Sequence, residues 1–142
     1  MPVLLDTDHL SVLQWNEEPA CGRLLARLTQ LPADDVGTSI LSFQEQVQGW
    51  LAYLNRARKA EQIVLAYSKL EEIWRWFLKM NVVSFSEEAQ ARFTELRRQC
   101  RRVQTMDLRI ASVALVSNAT LLTRNLRDFR QVPGLTVEDW TA

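Results

Sequence analysis

Residues 3–11 read VLLDTDHLS. Three apolar residues run straight into Asp6, and a second acid, Asp8, follows two positions later. A short apolar run of this kind has the length of a buried strand, and carboxylates are rarely buried unless paired or bound to a metal. If residues 2–5 are a strand, the chain places a charge where that strand stops, and something must hold it there.

Working outward, strands and helices alternate. Residues 8–15 predict a short helix. Residues 18–31 predict another, with Glu17 and Glu18 at the favourable end of its dipole. PADD at 32–35 is a turn, so Asp34 and Asp35 are turn residues, and VGTSI at 36–40 is a second strand. The pattern turns helical from Ser42 to about residue 58, with Phe43, Val47, Trp50, Leu51 and Leu54 as its apolar stripe. A further helix is expected over 60–79, with Ile63, Tyr67, Leu70, Trp74 and Phe77 facing the core. NVVSF at 81–85 is a third strand, and Ser86 is an N-cap for a helix over 87–101. Thr105 would cap a helix over 106–117. TLLT at 120–123 is a fourth strand, and GLTVEDW at 134–140 supplies a fifth. Repeats, low-complexity segments and linkers are absent, so residues 1–142 form one domain. The alternation predicts an α/β fold with a central parallel sheet of four to five strands flanked by helices.

The bulk composition agrees. Hydrophobic residues make up 47% and charged residues 24% of the 142, enough for one filled core and too apolar for disorder. The formal net charge is zero, which neither demands nor excludes a nucleic-acid partner. Cys21 and Cys100 make no CxxC pair, which suits a reducing cytosol. The N-terminal apolar run is broken at Asp6 and has no basic region before it, unlike a signal peptide. Nothing approaches the ~18 consecutive apolar residues of a spanning helix. A cytoplasmic protein without a membrane partner is expected.

Ligands of open α/β sheets gather beyond the carboxyl ends of the strands. Asp6 lies just past the first strand. Thr123 ends the fourth, and Asn125 and Asp128 follow it. Glu45 is expected in the first turn of the helix after strand two, and Asp107 in the first turn of the helix leading into strand four. Acids from four segments can therefore meet at one edge. Crowded carboxylates repel until protonation or a cation relieves them, and a hard divalent ion such as Mg²⁺ takes oxygen ligands. Simpler roles stand beside this one: Asp6 or Asp8 as a helix cap, and Glu45 and Asp107 as favourable acids at helix starts. His9, the single histidine, is a local helix-start residue on this reading. With no second imidazole, no GxSxG elbow, no P-loop and no cysteine–histidine motif, a metal-activated water is the mechanism these residues can build.

The chain resembles a PIN-domain ribonuclease of the VapC type, the toxin half of a type II toxin–antitoxin pair. LLDTDHLS at 4–11 resembles the family's opening strand and first acid. TSILSFQEQVQG at 38–49 is similar to its second block, with Glu45. TMDLRIASVAL at 105–115 is similar to the third, with Asp107, and LLTRNLRDFRQVPGLTVEDW at 121–140 looks like the closing segment. The resemblance implies a Mg²⁺- or Mn²⁺-dependent endoribonuclease with Asp6 and Asp107 as direct metal ligands and Glu45 completing the acidic cluster. It also implies a small VapB-type antitoxin that wraps the toxin and puts a basic side chain, typically arginine, among the carboxylates. The sequence departs from the family at Asp8, where Asn is common, at Gln46, where an apolar residue is usual, and at Asn125, where many members have a fourth acid. Asn125 or Asp128 then fills that role.

Two other readings deserve weighing. Asp6 and Asp8 match the DxD opening of a haloacid-dehalogenase-like phosphatase, but the last lysine is Lys79, and neither that chemistry nor a phospho-receiver domain works without a later one. A PIN domain kept only as a non-catalytic binding module would not need its acids. Outside the site, Arg97, Arg98, Arg101 and Arg102 form i,i+4 pairs that repel on a bare helix. They suit phosphate of an RNA or an acidic partner, or else a solvated face partly neutralised by Glu95. Trp76 falls about 140° round its helix from Ile63 at ~100° per residue, and Tyr53 is displaced likewise. Both are expected as exposed anchors for the antitoxin or for a homodimer.

Overall fold

A computed structural model describes residues 2–142. Five strands, β1 (Val3–Leu5), β2 (Val36–Ser39), β3 (Asn81–Val83), β4 (Thr120–Leu122) and β5 (Val137–Glu138), form one sheet in the order β3-β2-β1-β4-β5. All pairings are parallel, with Leu5 opposite Thr38 on one side and Leu122 on the other. The helices are α1 (Thr7–Trp15), α2 (Ala20–Leu28), α3 (Ile40–Arg56), α4 (Ala60–Leu78), α5 (Glu87–Gln99), α6 (Thr105–Val116) and the short α7 (Leu126–Phe129). The expected α/β class, the parallel sheet and the five strands are all present.

Alternation along the central strands sends successive side chains to opposite faces. Leu4 and Leu121 enter a core with Leu96, Leu108, Ile110 and Phe129, beneath α5, α6 and α7. Val3, Leu5 and Leu122 enter a second core with Val12, Leu24, Leu28 and Trp140, beneath α1 and α2. A third cluster, Leu10, Ile73 and Phe77, joins α4 to α1 and α3. Because β1 lies in the middle of the sheet with both faces covered, whatever follows Leu5 begins in a buried place.

Several boundaries differ from the sequence reading, each for a local reason. α1 starts at Thr7, because Asp6 and not Asp8 caps it. α2 starts at Ala20, leaving Glu17 and Glu18 ahead of it, though Glu18 Oε2 still accepts from the Gly22 N–H at 3.3 Å. α3 starts at Ile40, capped by Ser39, whose Oγ accepts from the Ser42 N–H, so Glu45 sits in its second turn. α6 has Gln104 at its N-cap and Thr105 inside. Ser86 caps α5 as expected, accepting from the Ala89 N–H at 3.1 Å.

The stripe on α4 is corrected. Its buried residues are Ala66, Ile73 and Phe77, and Trp76 packs against the same cluster. Tyr67 and Trp74 are 55% and 57% exposed, and Ile63 is exposed with them. The helix is apolar over much of its circumference, so bulk alone points to a face turned about 80° from the true one at ~100° per residue. The small Ala66, fully buried, marks the face that packs. Tyr53 is half-buried, edge-on to Trp50 with ring centroids 5.1 Å apart.

Gly37 in β2 has a specific reason to be glycine: a Cβ there would stand 2.8 Å from the backbone oxygen of Asn81 in β3. Asn81 in turn donates from Nδ2 to the Ala33 and Val36 carbonyls. Gly37→Ala should push β3 off the sheet edge and destabilise the fold by about 1–3 kcal/mol, read as a lower midpoint in urea unfolding. An unchanged midpoint would show that the edge strand yields freely.

Candidate active site

Asp6 sits just beyond β1 and continues the ladder, its N–H donating to the Leu122 carbonyl at 2.9 Å. Its carboxylate is buried and joins three elements. Oδ1 caps α1 by accepting from the Thr7 N–H at 2.8 Å. Oδ2 accepts from the Thr123 hydroxyl, just past β4, at 2.8 Å. Burial, and then the neighbouring Asp8 and Glu45 charges, push its pKa up to about 7 against the opposing hydrogen bonds from Thr123 and Thr7.

The other acids arrive from separate elements. Glu45, from α3, accepts from the Thr7 hydroxyl at 2.6 Å, and that hydroxyl lies 3.1 Å from Ser42 Oγ. Asp107 stands half-buried in the first turn of α6. Its pKa is raised to about 6, first by burial and then by Glu45, Asp128 and Asp8. Asp128, in α7, accepts from Asn125 Nδ2 at 3.2 Å. Asp6 and Asp107 both feel the charges of Asp8 and Glu45, from α1 and α3, and Asp107 also that of Asp128 from α7. Asp8 does not cap α1. Its Oδ1 contacts His9 Nδ1 at 2.8 Å, and its Oδ2 accepts from the Arg124 N–H at 3.0 Å.

Asp6, Glu45, Asp107 and Asp128 form no ion pair with lysine or arginine among the described residues. Asp6, Glu45 and Asp128 are supported by neutral hydroxyls, an amide and a backbone N–H, which hold carboxylates in place without cancelling their charge. This oxygen-only set suits a hard divalent cation. Among the described residues no three of these groups close into a ready cage. A Mg²⁺-like ion needs none, because one or two carboxylates and several waters satisfy it.

The arginine cluster divides. Arg97 is occupied: its guanidinium donates to the carbonyls of Cys100, Arg101 and Val103 at 2.7–3.0 Å and to Thr105 Oγ1 at 3.3 Å. It fastens the α5–α6 turn, one turn ahead of Asp107, and is not free to meet RNA. Arg98, Arg101 and Arg102 are exposed. Glu95 turns to Arg92 at 3.8 Å rather than neutralising the cluster. The sequence reading passed over Thr7 and Ser42, and the only signal for Thr7 was a hydroxyl standing between two acids in DTD. It also took His9 for a local helix residue; the ring is fully buried and reaches the far end of the chain.

Fold and site together place a cluster of acids beyond the carboxyl edge of a parallel sheet, and the comparisons with known proteins give the family. The PIN domain model matches residues 3–135, and the chain belongs to that family. It is 28% identical over 145 residues to Ribonuclease VapC1 of Haemophilus influenzae, covering 99% of both chains. Among solved structures it is similar to VapBC-1 from nontypeable Haemophilus influenzae, with TM-score 0.77, 26% identity and full coverage of both chains. It is also similar to VapBC2 from Rickettsia felis bound to a DNA fragment from their promoter, with TM-score 0.73, 25% identity and 99% coverage of each.

Raised carboxyl pKa values have a defined consequence for stability. Asp6 holds its proton more tightly in the folded state, with a pKa near 7, than an ordinary carboxylate with its 3.8, so the folded state binds more protons between those pH values. Stability of the cation-free protein must then fall as pH rises from about 4 to about 7. Asp6→Asn, measured in chelator at pH 8, should be more stable than wild type by about 1–3 kcal/mol. Thermal melts across pH check both; a variant less stable than wild type at pH 8 would mean the carboxylate is not under strain.

Proposed function

We propose that this protein is a metal-dependent endoribonuclease acting as the toxin of a toxin–antitoxin pair. What supports this is the set of acids Asp6, Glu45, Asp107 and Asp128 beyond the carboxyl ends of β1 and β4, which among the described residues form no ion pair with a basic side chain. Similarity to Ribonuclease VapC1 over nearly the whole chain supports RNA as substrate, and the intact acids argue against a PIN domain kept only for binding.

Mg²⁺ or Mn²⁺ would be held by Asp6 and Asp107 directly. When bound, such an ion lowers the pKa of a water and offsets charge on the phosphoryl group. This chain's own residues do the positioning. Thr7 holds the Glu45 carboxylate and Thr123 that of Asp6, and Glu45 would complete the acidic cluster through the metal or its water. Asn125 holds Asp128 by its amide, so Asp128 rather than Asn125 faces the cluster and serves as the fourth acid, through water. Arg98, Arg101 and Arg102 lie on the surface next to the start of α6 and suit the RNA backbone.

Asp6→Asn and Asp107→Asn should each abolish cleavage of RNA, chelator should do the same to wild type, and Mg²⁺ or Mn²⁺ should restore it. Asp128→Asn should raise the metal concentration needed for half-maximal cleavage without abolishing turnover. Full cleavage by either of the first two variants, from a nuclease-free preparation, would sink the assignment. Expression of the chain alone in bacteria should stop growth.

The partner is a VapB-type antitoxin, in line with the VapBC complexes among similar structures. Val64, Tyr67, Trp74 and Leu78 leave an exposed apolar surface on α4. Beside it a groove of about 850 Å³, lined by Trp15, Lys69, Arg75, Trp76 and Lys79, separates the end of α1 from α4. None of the site carboxylates lines this groove. Tyr67→Ala with Trp74→Ala should reduce co-purification with the product of the adjacent small gene more than Tyr53→Ala with Trp76→Ala, whose rings are already partly packed. Equal retention by both double variants would place the partner elsewhere; the homodimer, measured by light scattering, is the alternative use of this face.

A further inference from the structure

His9 is the one histidine of the chain and is fully buried, yet the nuclease reading gives it no part. Its surroundings fix its proton. Nε2 lies 3.1 Å from the backbone nitrogen of Trp140, and a backbone N–H can only donate. Nε2 is therefore the acceptor and the ring proton sits on Nδ1, which is 2.8 Å from Asp8 Oδ1. Asp139 Oδ1 is the other charge near Nε2, at 3.5 Å, and it is already taken by the Thr141 N–H and hydroxyl.

Both ends of this relay are held. On the far side, the Trp140 indole packs under the Arg27 guanidinium at 4.2 Å. Thr141 Oγ1 accepts from Arg124 Nε at 2.9 Å. On the near side, Asp8 Oδ2 accepts from the Arg124 N–H and stands 3.3 Å from Thr123 Oγ1, the hydroxyl that donates to Asp6. Arg124 thus grips both the chain terminus and Asp8. Hydrogen bonds lead from the Trp140 N–H through His9 to Asp8, and Asp8 in turn takes the Arg124 N–H; the adjoining Thr123 gives its one hydroxyl proton to Asp6, the carboxylate at the end of β1. A histidine needed only to fill space would not require a carboxylate on one nitrogen and a clamped backbone donor on the other, since a leucine fills the same volume.

We infer that His9, with its tautomer set by the Trp140 N–H, is a positioning residue of the acidic site: it fixes Asp8, and through Asp8 and Thr123 the orientation of Asp6. This rests on the metal-dependent nuclease reading. It makes the segment 139–141, far from the acids in sequence, a working part of the site. Outer partners that orient ligating groups typically change metal affinity about 10–100-fold when removed.

The test uses the full chain without a histidine tag, so that every imidazole signal belongs to His9. ¹⁵N-detected imidazole correlations should show a single neutral tautomer protonated at Nδ1; an Nε2–H ring, or exchange between the two, would overturn the inference whether or not any variant folds. Mn²⁺ titration by calorimetry should then show about 10-fold weaker binding or worse for His9→Leu. His9→Asn keeps an N–H where Nδ1 stood and should recover much of that loss. Mn²⁺ binding by a folded His9→Leu equal to wild type overturns this inference and leaves the nuclease reading standing. Failure of the wild type to bind Mn²⁺ or cleave RNA overturns both.

Discussion

Asp6 is the carboxylate on which the arrangement turns. It extends the central strand by one ladder bond, caps α1 with one oxygen and takes the Thr123 hydroxyl with the other, so β1, α1 and β4 meet on a single side chain. Burying a charge in such a place is unfavourable unless it is satisfied. The two hydrogen bonds satisfy its geometry but not its charge, and the raised pKa near 7 records the difference. Groups whose ionisation is perturbed by the packing around them concentrate at functional sites.

The surrounding acids are held in the same manner. Thr7 anchors Glu45, Asn125 anchors Asp128, and the first turn of α6 presents Asp107. Arginine would have stabilised any of them more strongly, but it would also have neutralised the site. The chain instead spends Arg97 behind the site, on three carbonyls of the α5–α6 turn and on Thr105. That turn sets where α6 begins and hence where Asp107 stands.

The remaining polar core is organised around His9, whose two nitrogens join the start of α1 to the C-terminal segment. The sheet is built from short strands, the outermost of two residues, and β5 would be a weak edge without further ties. Trp140 beneath Arg27 and the pairing of Thr141 with Arg124 fasten it. Stability of the last residues and order in the acidic site are therefore coupled through one buried ring.

The sequence by itself determined the alternation of strands and helices, the parallel sheet, and the presence of acids at its carboxyl edge. Those follow from local periodicity and from charges standing where buried strands end, in VLLD and in the loop after TLLT. It did not determine which face of α4 packs. Ile63, Tyr67 and Trp74 are as apolar as Ile73 and Phe77, and only the close approach of neighbours at Ala66 selects between them. It offered both Asp6 and Asp8 as caps and could not choose Asp6, because cap identity depends on the exact backbone turn after β1. It gave four equivalent arginines, and only the path of the chain after Cys100 separates Arg97 from the rest. The His9–Trp140 contact spans 131 residues; a hydrogen bond between a side chain and a distant backbone leaves no pattern in composition or period, and only the closed fold brings the two together.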